Sequence, residues 1–219
     1  NSIRTSEGDA FMTIMANTLA GIIERRKMEE KLQKAEVKLK ELAHYDGLTG
    51  LPNRVLLHEI LTQNLSHTRR NKSILGVGFL DLDKFKAVND TYGHDIGDML
   101  LKEAAARIKG CLRDGDVVSR VGGDEFVLIL PNLKKPKEGE VVVKRIVDIL
   151  QQPFHLQGYE CHIGTSIGMS LFPKDGETPD ELIKKADIAM YAVKSTGRNN
   201  HKFFKDGMNN KDSKRDENI

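Results

Sequence analysis

Features that mark secreted and membrane-spanning proteins are scarce in this chain. Two of its 219 residues are cysteines, Cys111 and Cys161, too few for a disulfide framework and without the spacing of zinc ligands. No apolar run approaches the roughly 18–20 residues of a membrane-spanning helix. The N-terminus lacks the charged and apolar regions of a signal peptide. We therefore expect a reducing, cytoplasmic compartment.

A strong bias of charge is also missing. Lys and Arg number 34 against 32 Asp and Glu, a net charge of +2, which predicts neither a nucleic-acid nor a membrane-surface partner. Apolar residues make up 39% of the sequence and charged residues 30%, as in a globular domain with a well-solvated surface. The length allows one domain of roughly 150–200 residues and an additional segment. Because the chain begins within a helical pattern, we expect a fragment of a longer protein, which could be membrane-attached.

The additional segment is a long helical pattern without proline at residues 9–43. Its second half has apolar residues spaced alternately by four and three, as in a coiled-coil seam: Met28, Leu32, Ala35, Leu39 and Leu42. An earlier seam consists of Met12, Met15, Leu19 and Ile22. The two seams are out of phase by one residue around 21–26, which often marks a junction. An amphipathic helix packed on its own domain is the alternative, but the narrow stripe favours a parallel dimeric coiled coil.

Strand and helix patterns alternate along the rest of the sequence. Helices are predicted near 53–69 and over 95–112, 139–151 and 179–195. Strands are predicted at 74–82, in a hairpin over 116–130, at 161–172 and at 201–204. This β-α-β-β-α-β order with flanking helices predicts an α+β sandwich of ferredoxin-like type. We expect an N-terminal helix over 1–43, a folded domain over 44–204 and a polar, disordered tail or linker over 205–219.

The predicted hairpin has an unusual tip, Gly122-Gly123-Asp124-Glu125-Phe126. Glycines permit positive φ and let the backbone approach a ligand closely. The adjacent carboxylates are hard oxygen ligands of the kind that Mg²⁺ prefers. A hairpin turn without a ligand is the simpler alternative.

A second acidic segment ends the strand predicted at 74–82. Asp81 and Asp83 alternate with Leu82, so the two carboxylates share one face of the strand. Carboxylates at the end of a buried central strand are costly unless they bind something, although solvent-exposed strand ends would explain them equally well. The following residues, 87–98, are dense in polar groups able to contact a base edge. Asp98 has the alternative role of favouring a helix N-terminus.

Together, four ordered motifs resemble the GGDEF domain family, the diguanylate cyclases of bacterial cyclic di-GMP signalling. The resemblance covers about residues 43–204. Its motifs are Asp46-Gly47-Leu48-Thr49-Gly50-Leu51-Pro52-Asn53-Arg54, the run 81–98, Gly122–Phe126, and Ala186-Asp187-Ile188-Ala189-Met190-Tyr191 with Lys194 and Gly197-Arg198-Asn199. The resemblance implies a palm-type antiparallel sheet like that of polymerases and class III nucleotide cyclases.

The resemblance also implies an activity, nucleotidyl transfer that joins two GTP molecules into cyclic di-GMP and releases two pyrophosphates. Such a reaction needs metal to neutralise phosphate charge and to lower the pKa of the attacking hydroxyl. Two Mg²⁺ ions are expected in each half-site, the GTP-binding half of the active site that one domain contributes, with Mn²⁺ as an alternative. By position in the family, Asp81, Asp124 and the Leu82 carbonyl are the expected metal ligands. Asp81, Asp124 and Glu125 are the expected catalytic residues.

Substrate contacts follow from the same resemblance. Asn89 and Asp98 are expected to read guanine, because an Asp accepts from guanine N1–H and the 2-amino group, a donor pair that adenine lacks. The expected phosphate contacts are Lys86, Lys194, Arg198 and the backbone N–H groups of Lys84 and Phe85. The backbone at Gly122 and Gly123 is expected to lie against the nucleotide. Apart from the resemblance, Lys194 and Arg198 would be ordinary charges near a helix end.

A second site is implied upstream of the hairpin tip. Arg113 and Asp116 fit the family's Arg-x-x-Asp inhibitory motif, with five residues between Asp116 and Gly122. This motif binds the product, cyclic di-GMP, and either Lys144 or Arg145 is expected to supply a further basic contact. A helix-to-strand turn is the alternative reading of the same residues.

Partners follow from the placement of one GTP per domain. The resemblance implies a homodimer, an upstream sensor such as a GAF domain, and an EAL domain as a candidate downstream of the tail. Two other functional hypotheses remain open: a non-catalytic domain that binds GTP or cyclic di-GMP to regulate a neighbour, and a coiled-coil scaffold with an inert folded domain.

Overall fold

The computed structural model describes residues 12, 15, 24–35 and 38–208 and separates two units, Asn1–Ala43 and His44–Ile219. Helix α1 is described over 24–35 and 38–44, and all of these residues except His44 belong to the first unit. The seam residues Met28, Leu32, Leu39 and Leu42 are between 61% and 69% exposed, so the coiled coil stays a prediction. Leu19, Ile22 and the start of the phase change lie outside the described residues, as does 209–219 of the tail. No described helix is both long and apolar enough to cross a membrane.

The second unit contains five further helices and seven strands among its described residues. In chain order they are α2 (Arg54–Asn71), β1 (Ile74–Asp83), α3 (Phe85–Tyr92), α4 (His94–Gly110), β2 (Val117–Gly122), β3 (Glu125–Leu133), α5 (Pro136–Leu150), β4 (Phe154–Leu156), β5 (Tyr159–Cys161), β6 (Gly164–Phe172), α6 (Pro179–Lys194) and β7 (Asn200–Phe203). The predicted α+β class is confirmed.

Strand β1 lies at the centre of a five-stranded sheet of order β2-β3-β1-β6-β7. It runs antiparallel to both β3 and β6, and β7 is added parallel to β6. Phe79 belongs to a core cluster with residues of α2 and α6, whereas Leu80 and Leu82 belong to a cluster with residues of α4 and α5. Because β1 is buried on both faces, it has the nearly continuous apolar sequence of a central strand.

Helix ends in this unit follow local sequence signals. The Asn53 side chain caps α2 by accepting from the backbone N–H groups of Val55 and Leu56. Thr178 and Glu181 form a reciprocal capping box at the start of α6, which satisfies two otherwise unpaired backbone donors. These caps set where α2 and α6 begin, and both helices flank the face of the sheet on which Asp81 lies.

Two features differ from the sequence prediction. Residues 85–92 form the short helix α3, where the sequence pattern predicted neither a helix nor a strand. The strand predicted over 161–172 is divided: β5 ends at Cys161 and β6 begins at Gly164, because 154–161 form a separate β4–β5 hairpin. Both elements are too short to show a clear periodicity, and α3 has one buried residue, Val88.

Gly168 on β6 permits the closest approach of a helix to the sheet. A Cβ at this position would overlap the backbone of α6 at Ala186 and Met190. Only glycine therefore lets α6 lie directly on β6, and this packing places the C-terminal end of α6 at the end of β1.

We expect Gly168→Ala to lower the free energy of unfolding by about 1–3 kcal/mol, because the added methyl group meets helix backbone that cannot rotate away. Urea denaturation measures the change. Gly110→Ala is the matched control: nothing lies within 4 Å of a Cβ there, and removal of a helical glycine should stabilise by up to about 1 kcal/mol. Equal stabilities of the two variants would contradict the packing argument.

Candidate active site

Two acidic segments that are distant in sequence meet at one end of the sheet. Asp81 lies near the end of β1, opposite Glu125 in the register with β3. Asp124 lies in the turn between β2 and β3, and its carbonyl accepts from the Leu82 N–H at 3.2 Å. The turn is therefore attached to the end of β1, and it brings the Asp81 and Asp124 carboxylates close enough to repel each other.

Burial and repulsion make this pair of carboxylates hard to ionise. Asp81 is 8% exposed, and burial, followed by the charge of Asp124, raises its pKa to about 6. Burial also raises the pKa of Asp124. The Nζ of Lys194 opposes the effect, since it lies 2.7 Å from Asp81 Oδ2. The pair favours an additional cation, because a positive charge would stabilise both ionised carboxylates.

Asp83 lies further along β1 and is held differently. Its Oδ1 accepts from the Ser166 hydroxyl at 2.8 Å and its Oδ2 from the Asn199 N–H at 2.9 Å. The Nε of Arg198 lies 3.9 Å from Asp83 Oδ1. Arg198 and Lys194 thus face carboxylates at the end of β1, a placement that the sequence alone did not predict.

Backbone donors are available where β1 leads into α3. Lys84 adopts a left-handed conformation, with φ of 67°, and makes no side-chain capping hydrogen bond within the described part of the chain. The side chains of Lys84 and Lys86 are exposed. The first N–H groups of a helix attract anions, so this corner is suited to contact with phosphate.

The two residues predicted to read guanine lie where α3 meets α4. The Oδ1 of Asn89 is buried and has no hydrogen-bond partner among the described residues. It lies against Gly97, where a Cβ would overlap it, and the exposed Asp98 follows directly. A buried polar atom without a partner indicates a place for a ligand or an ordered water.

Arg120 holds the turn at 122–125, called the signature turn below, through side-chain hydrogen bonds that the sequence pattern did not predict. The Nη1 of Arg120 donates to both carboxylate oxygens of Asp46 at 2.9 Å, while its Nε and Nη2 donate to the Gly123 carbonyl at 2.9 and 2.7 Å. Burial alone would raise the pKa of Asp46, but hydrogen bonds from Thr49 and Arg120 outweigh it and lower the pKa. The Asp46-x-x-Thr49 pattern is typical of an Asx turn, so the sequence did indicate the local hydrogen bonds between Thr49 and Asp46.

A groove of about 680 Å³ borders the same turn between α2 and α6. Leu57, Phe79 and Ile183 contribute apolar surface, and Arg54 and Lys184 contribute positive charge. Asp124 and Glu125 form part of its wall. The acidic turn is therefore accessible from the α2–α6 side.

The predicted inhibitory residues lie together at the turn between α4 and β2. Asp116, with a side chain 1% exposed, accepts from the Arg113 backbone N–H and from Arg113 Nε, each at 3.3 Å. Arg113 Nη2 also donates to the Pro131 carbonyl at 3.0 Å. Arg145 on α5 donates to the carbonyl of Cys111, two residues before Arg113. Lys144 and Arg145 both line a shallow depression along α5.

Comparisons with known proteins return one domain family. The family model described as "Diguanylate cyclase, GGDEF domain" matches residues 43–200. The chain is 44% identical over 178 residues to MucR of Pseudomonas aeruginosa, named a bifunctional diguanylate cyclase/cyclic di-GMP phosphodiesterase. This match covers 81% of the present chain and 26% of MucR. It is 36% identical over 176 residues to diguanylate cyclase TpbB of the same species, covering 80% of this chain and 40% of TpbB. It is 43% identical over 174 residues to NbdA of that species, named a cyclic di-GMP phosphodiesterase. This match covers 80% of the present chain and 22% of NbdA. The chain thus spans less than half the length of these relatives.

Solved structures show the same fold. The GGDEF domain of Pseudomonas aeruginosa TpbB superimposes with a TM-score of 0.73 at 36% identity, covering 74% of this chain and 95% of that one. The coiled coil and GGDEF domain of DgcB from Caulobacter crescentus, in complex with c-di-GMP, gives a TM-score of 0.74 at 25% identity, covering 84% and 97%.

We expect Asp81→Asn to stabilise the chain without metal or nucleotide at neutral pH and to have little effect near pH 4. The folded-state pKa of about 6 lies above the ordinary 3.8, so ionised Asp81 costs stability as pH rises through this range, by roughly 3 kcal/mol when complete. Asn keeps an acceptor for Lys194 and removes the charge.

Thermal unfolding in EDTA at pH 4 and at pH 7.5 measures this difference. Asp206→Asn, at an exposed position, is the control and should show the same small effect at both pH values. An Asp81→Asn variant no more stable than wild type at pH 7.5 would contradict the electrostatic account.

Proposed function

Because the chain belongs to the GGDEF domain family, we propose that it is a diguanylate cyclase that condenses two GTP into cyclic di-GMP and two pyrophosphates. The observation that carries this proposal is the convergence of Asp81 and Asp124, with Lys194 2.7 Å from Asp81. A buried, repelling carboxylate pair beside a lysine suits a metal-dependent phosphoryl transfer. The activity and partners of any longer parent protein are part of the same proposal.

The donor set fits Mg²⁺. Within the residues that the structure describes, no three His, Cys, Asp or Glu side chains form a complete metal cage. Mg²⁺ is usually held by one or two carboxylates together with substrate phosphates and water, so Asp81, Asp124 and the Leu82 carbonyl are an appropriate set. When bound, the metal neutralises phosphate charge and lowers the pKa of the attacking hydroxyl.

The chain's own residues position the substrate. Asn89 and Asp98 hold guanine at the α3–α4 corner, and Asp98 favours guanine over adenine by accepting from two neighbouring N–H groups. The backbone N–H groups of Lys84 and Phe85 and the Lys86 side chain contact phosphate at the start of α3. Arg198 is suited to bidentate phosphate contacts.

The signature turn completes the half-site. Gly122 and Gly123 leave room for the nucleotide, and Gly123 has a φ of 47° that favours glycine. Glu125 takes the second acidic position of the motif, with a role in metal binding or proton handling. Arg120 acts as a positioning residue, because it holds the Gly123 carbonyl through two hydrogen bonds.

Catalysis on this scheme requires a homodimer, since each domain holds one GTP and the 3′-hydroxyl of each attacks the α-phosphate of the other. A coiled coil formed by α1 would raise the effective concentration of two domains to roughly millimolar. Its exposed seam supports this part of the proposal. A change of helix register would align or separate the half-sites.

Product inhibition is assigned to Arg113 and Asp116. The turn that contains them is partly pre-formed by their mutual hydrogen bonds, and the guanidinium of Arg113 can form bidentate contacts with phosphate or guanine. Arg145 is the better-placed basic partner, because it reaches the Cys111 carbonyl beside this turn. Lys144 directly precedes Arg145 on α5 and also lines the depression there.

A regulatory domain that binds GTP or cyclic di-GMP without turnover is the second candidate. The observation favouring it is the similarity to NbdA, whose name describes phosphodiesterase activity. Against it, the acidic, guanine and phosphate positions of the motif are all present in this chain.

The full chain incubated with GTP and Mg²⁺ should yield cyclic di-GMP, identified by chromatography and mass spectrometry, and none with ATP alone. Asp124→Ala should reduce turnover by at least about a hundredfold, since loss of one metal carboxylate removes charge stabilisation of the transition state. GTP and cyclic di-GMP binding without any turnover by a confirmed dimer would instead favour the regulatory domain.

We expect Arg113→Ala to weaken cyclic di-GMP binding by roughly tenfold or more, the usual consequence of losing a charge-assisted hydrogen bond. Initial rates should lose their sensitivity to added product while turnover at low product stays unchanged. Isothermal titration calorimetry provides the affinity. Arg70→Ala, an exposed arginine on α2, should leave both properties as in wild type; unaltered product affinity in Arg113→Ala would refute the assignment.

A further inference from the structure

A cavity of about 470 Å³ lies beyond the end of β1, beside the start of α3. Its walls include Asp83, Lys84, His162, Arg198 and Asn199. Lys84 and Arg198 are two of the proposed phosphate contacts, so the cavity adjoins the phosphate end of the substrate site. His162 comes from the end of the β4–β5 hairpin and has no role in the function proposed above.

The charge balance of the cavity favours an anion. Lys84 and Arg198 contribute positive charge, and the single carboxylate in the wall, that of Asp83, has both oxygens occupied. Ser166 donates to one oxygen at 2.8 Å and the Asn199 N–H donates to the other at 2.9 Å. The Nε of Arg198 lies 3.9 Å from Asp83 Oδ1, so Arg198 offsets the charge of Asp83, and Lys84 leaves the wall with a net positive charge.

One polar side-chain atom in the wall makes no hydrogen bond to the described residues. The Oδ1 of Asn199 is buried and makes no hydrogen bond within the described residues, although the backbone N–H of the same residue is bonded to Asp83. A buried amide oxygen without a protein partner marks a place for an ordered water or a ligand atom beside this wall.

His162 is held in place by an acidic neighbour. Its Nε2 lies 2.8 Å from Glu160 Oε1 on β5, and Glu160 stands opposite His155 in the hairpin register. The Glu160 carboxylate accepts a hydrogen bond from one ring nitrogen, so the other ring nitrogen is available to a second group. An imidazolium, which carries a hydrogen on both ring nitrogens, donates to a carboxylate on one side and to a phosphate on the other.

We infer that His162 donates a hydrogen bond to the terminal phosphate of bound guanosine triphosphate, and to pyrophosphate before its release. This inference depends on the proposed function, because it takes GTP as the substrate. His162 is then a specificity-determining residue: it distinguishes a triphosphate from a diphosphate, whose shorter chain ends before the cavity. Glu160 is a positioning residue that acts through His162.

Calorimetric binding in Mg²⁺ tests the inference with three probes: a non-hydrolysable GTP analogue, GDP and inorganic pyrophosphate. His162→Ala should weaken binding of the analogue and of pyrophosphate by about tenfold, as for loss of a hydrogen bond to a charged group. The affinity for GDP should change less than twofold. His162→Gln, which retains a donor, should restore part of the lost affinity.

His67→Ala is the control, because His67 is an exposed histidine on α2 and does not line the cavity. It should bind all three probes as wild type does. Thermal unfolding of each variant checks that the hairpin remains folded; the side chain of His162 is 65% exposed, so little stability should be lost.

Two results would overturn the inference. Unchanged affinity of His162→Ala for the analogue and for pyrophosphate would show that the imidazole makes no phosphate contact. An equal loss for GDP and the analogue would assign His162 to the general structure of the site. If wild type binds the analogue yet forms no cyclic di-GMP from GTP, the proposed cyclase activity fails while the affinity ratio still decides the role of His162.

Discussion

Burial of carboxylates at the end of strand β1 is the constraint on which the other features depend. A charged aspartate inside a sheet loses much of its hydration, and Asp81 lies beside a second acidic group, Asp124. The fold compensates with Lys194, 2.7 Å away at the end of α6. That position requires α6 to lie directly on β6, which the missing side chain of Gly168 permits. The remaining demand for positive charge supports the proposal that this site takes metal-bound nucleotide.

Several long-range contacts orient the acidic turn toward this strand end. The Asp124 carbonyl is bound to the Leu82 N–H, and Arg120 holds the turn to Asp46 on its other side. Asp46 comes directly after helix α1 in the sequence, so the turn is bonded to the first residues of the folded unit. A rigid acidic turn holds its carboxylates in one geometry, which electrostatic catalysis needs.

Sequence patterns predicted the elements that carry the motifs. The apolar run of β1, the hairpin of β2 and β3 and the helices α2, α4, α5 and α6 were all expected, because each is long enough to show a period or to bury a continuous apolar segment. Helix α3 and the β4–β5 hairpin were missed. Each is too short to show a clear period, and its structure depends on contacts with neighbouring elements more than on its own apolar pattern.

Local sequence patterns were enough to identify the chemical groups and their order along the chain: Asp81 and Asp83 on either side of Leu82, the glycine-rich turn and the Arg-x-x-Asp segment. Which of these groups meet depends on the fold. Lys194 faces Asp81, Arg120 bridges to Asp46, and His162 shares a cavity with Arg198. These pairs are far apart in sequence, and their contact follows from the strand order β2-β3-β1-β6-β7 and from side chains that pack on one face of that sheet, neither of which local periodicity encodes.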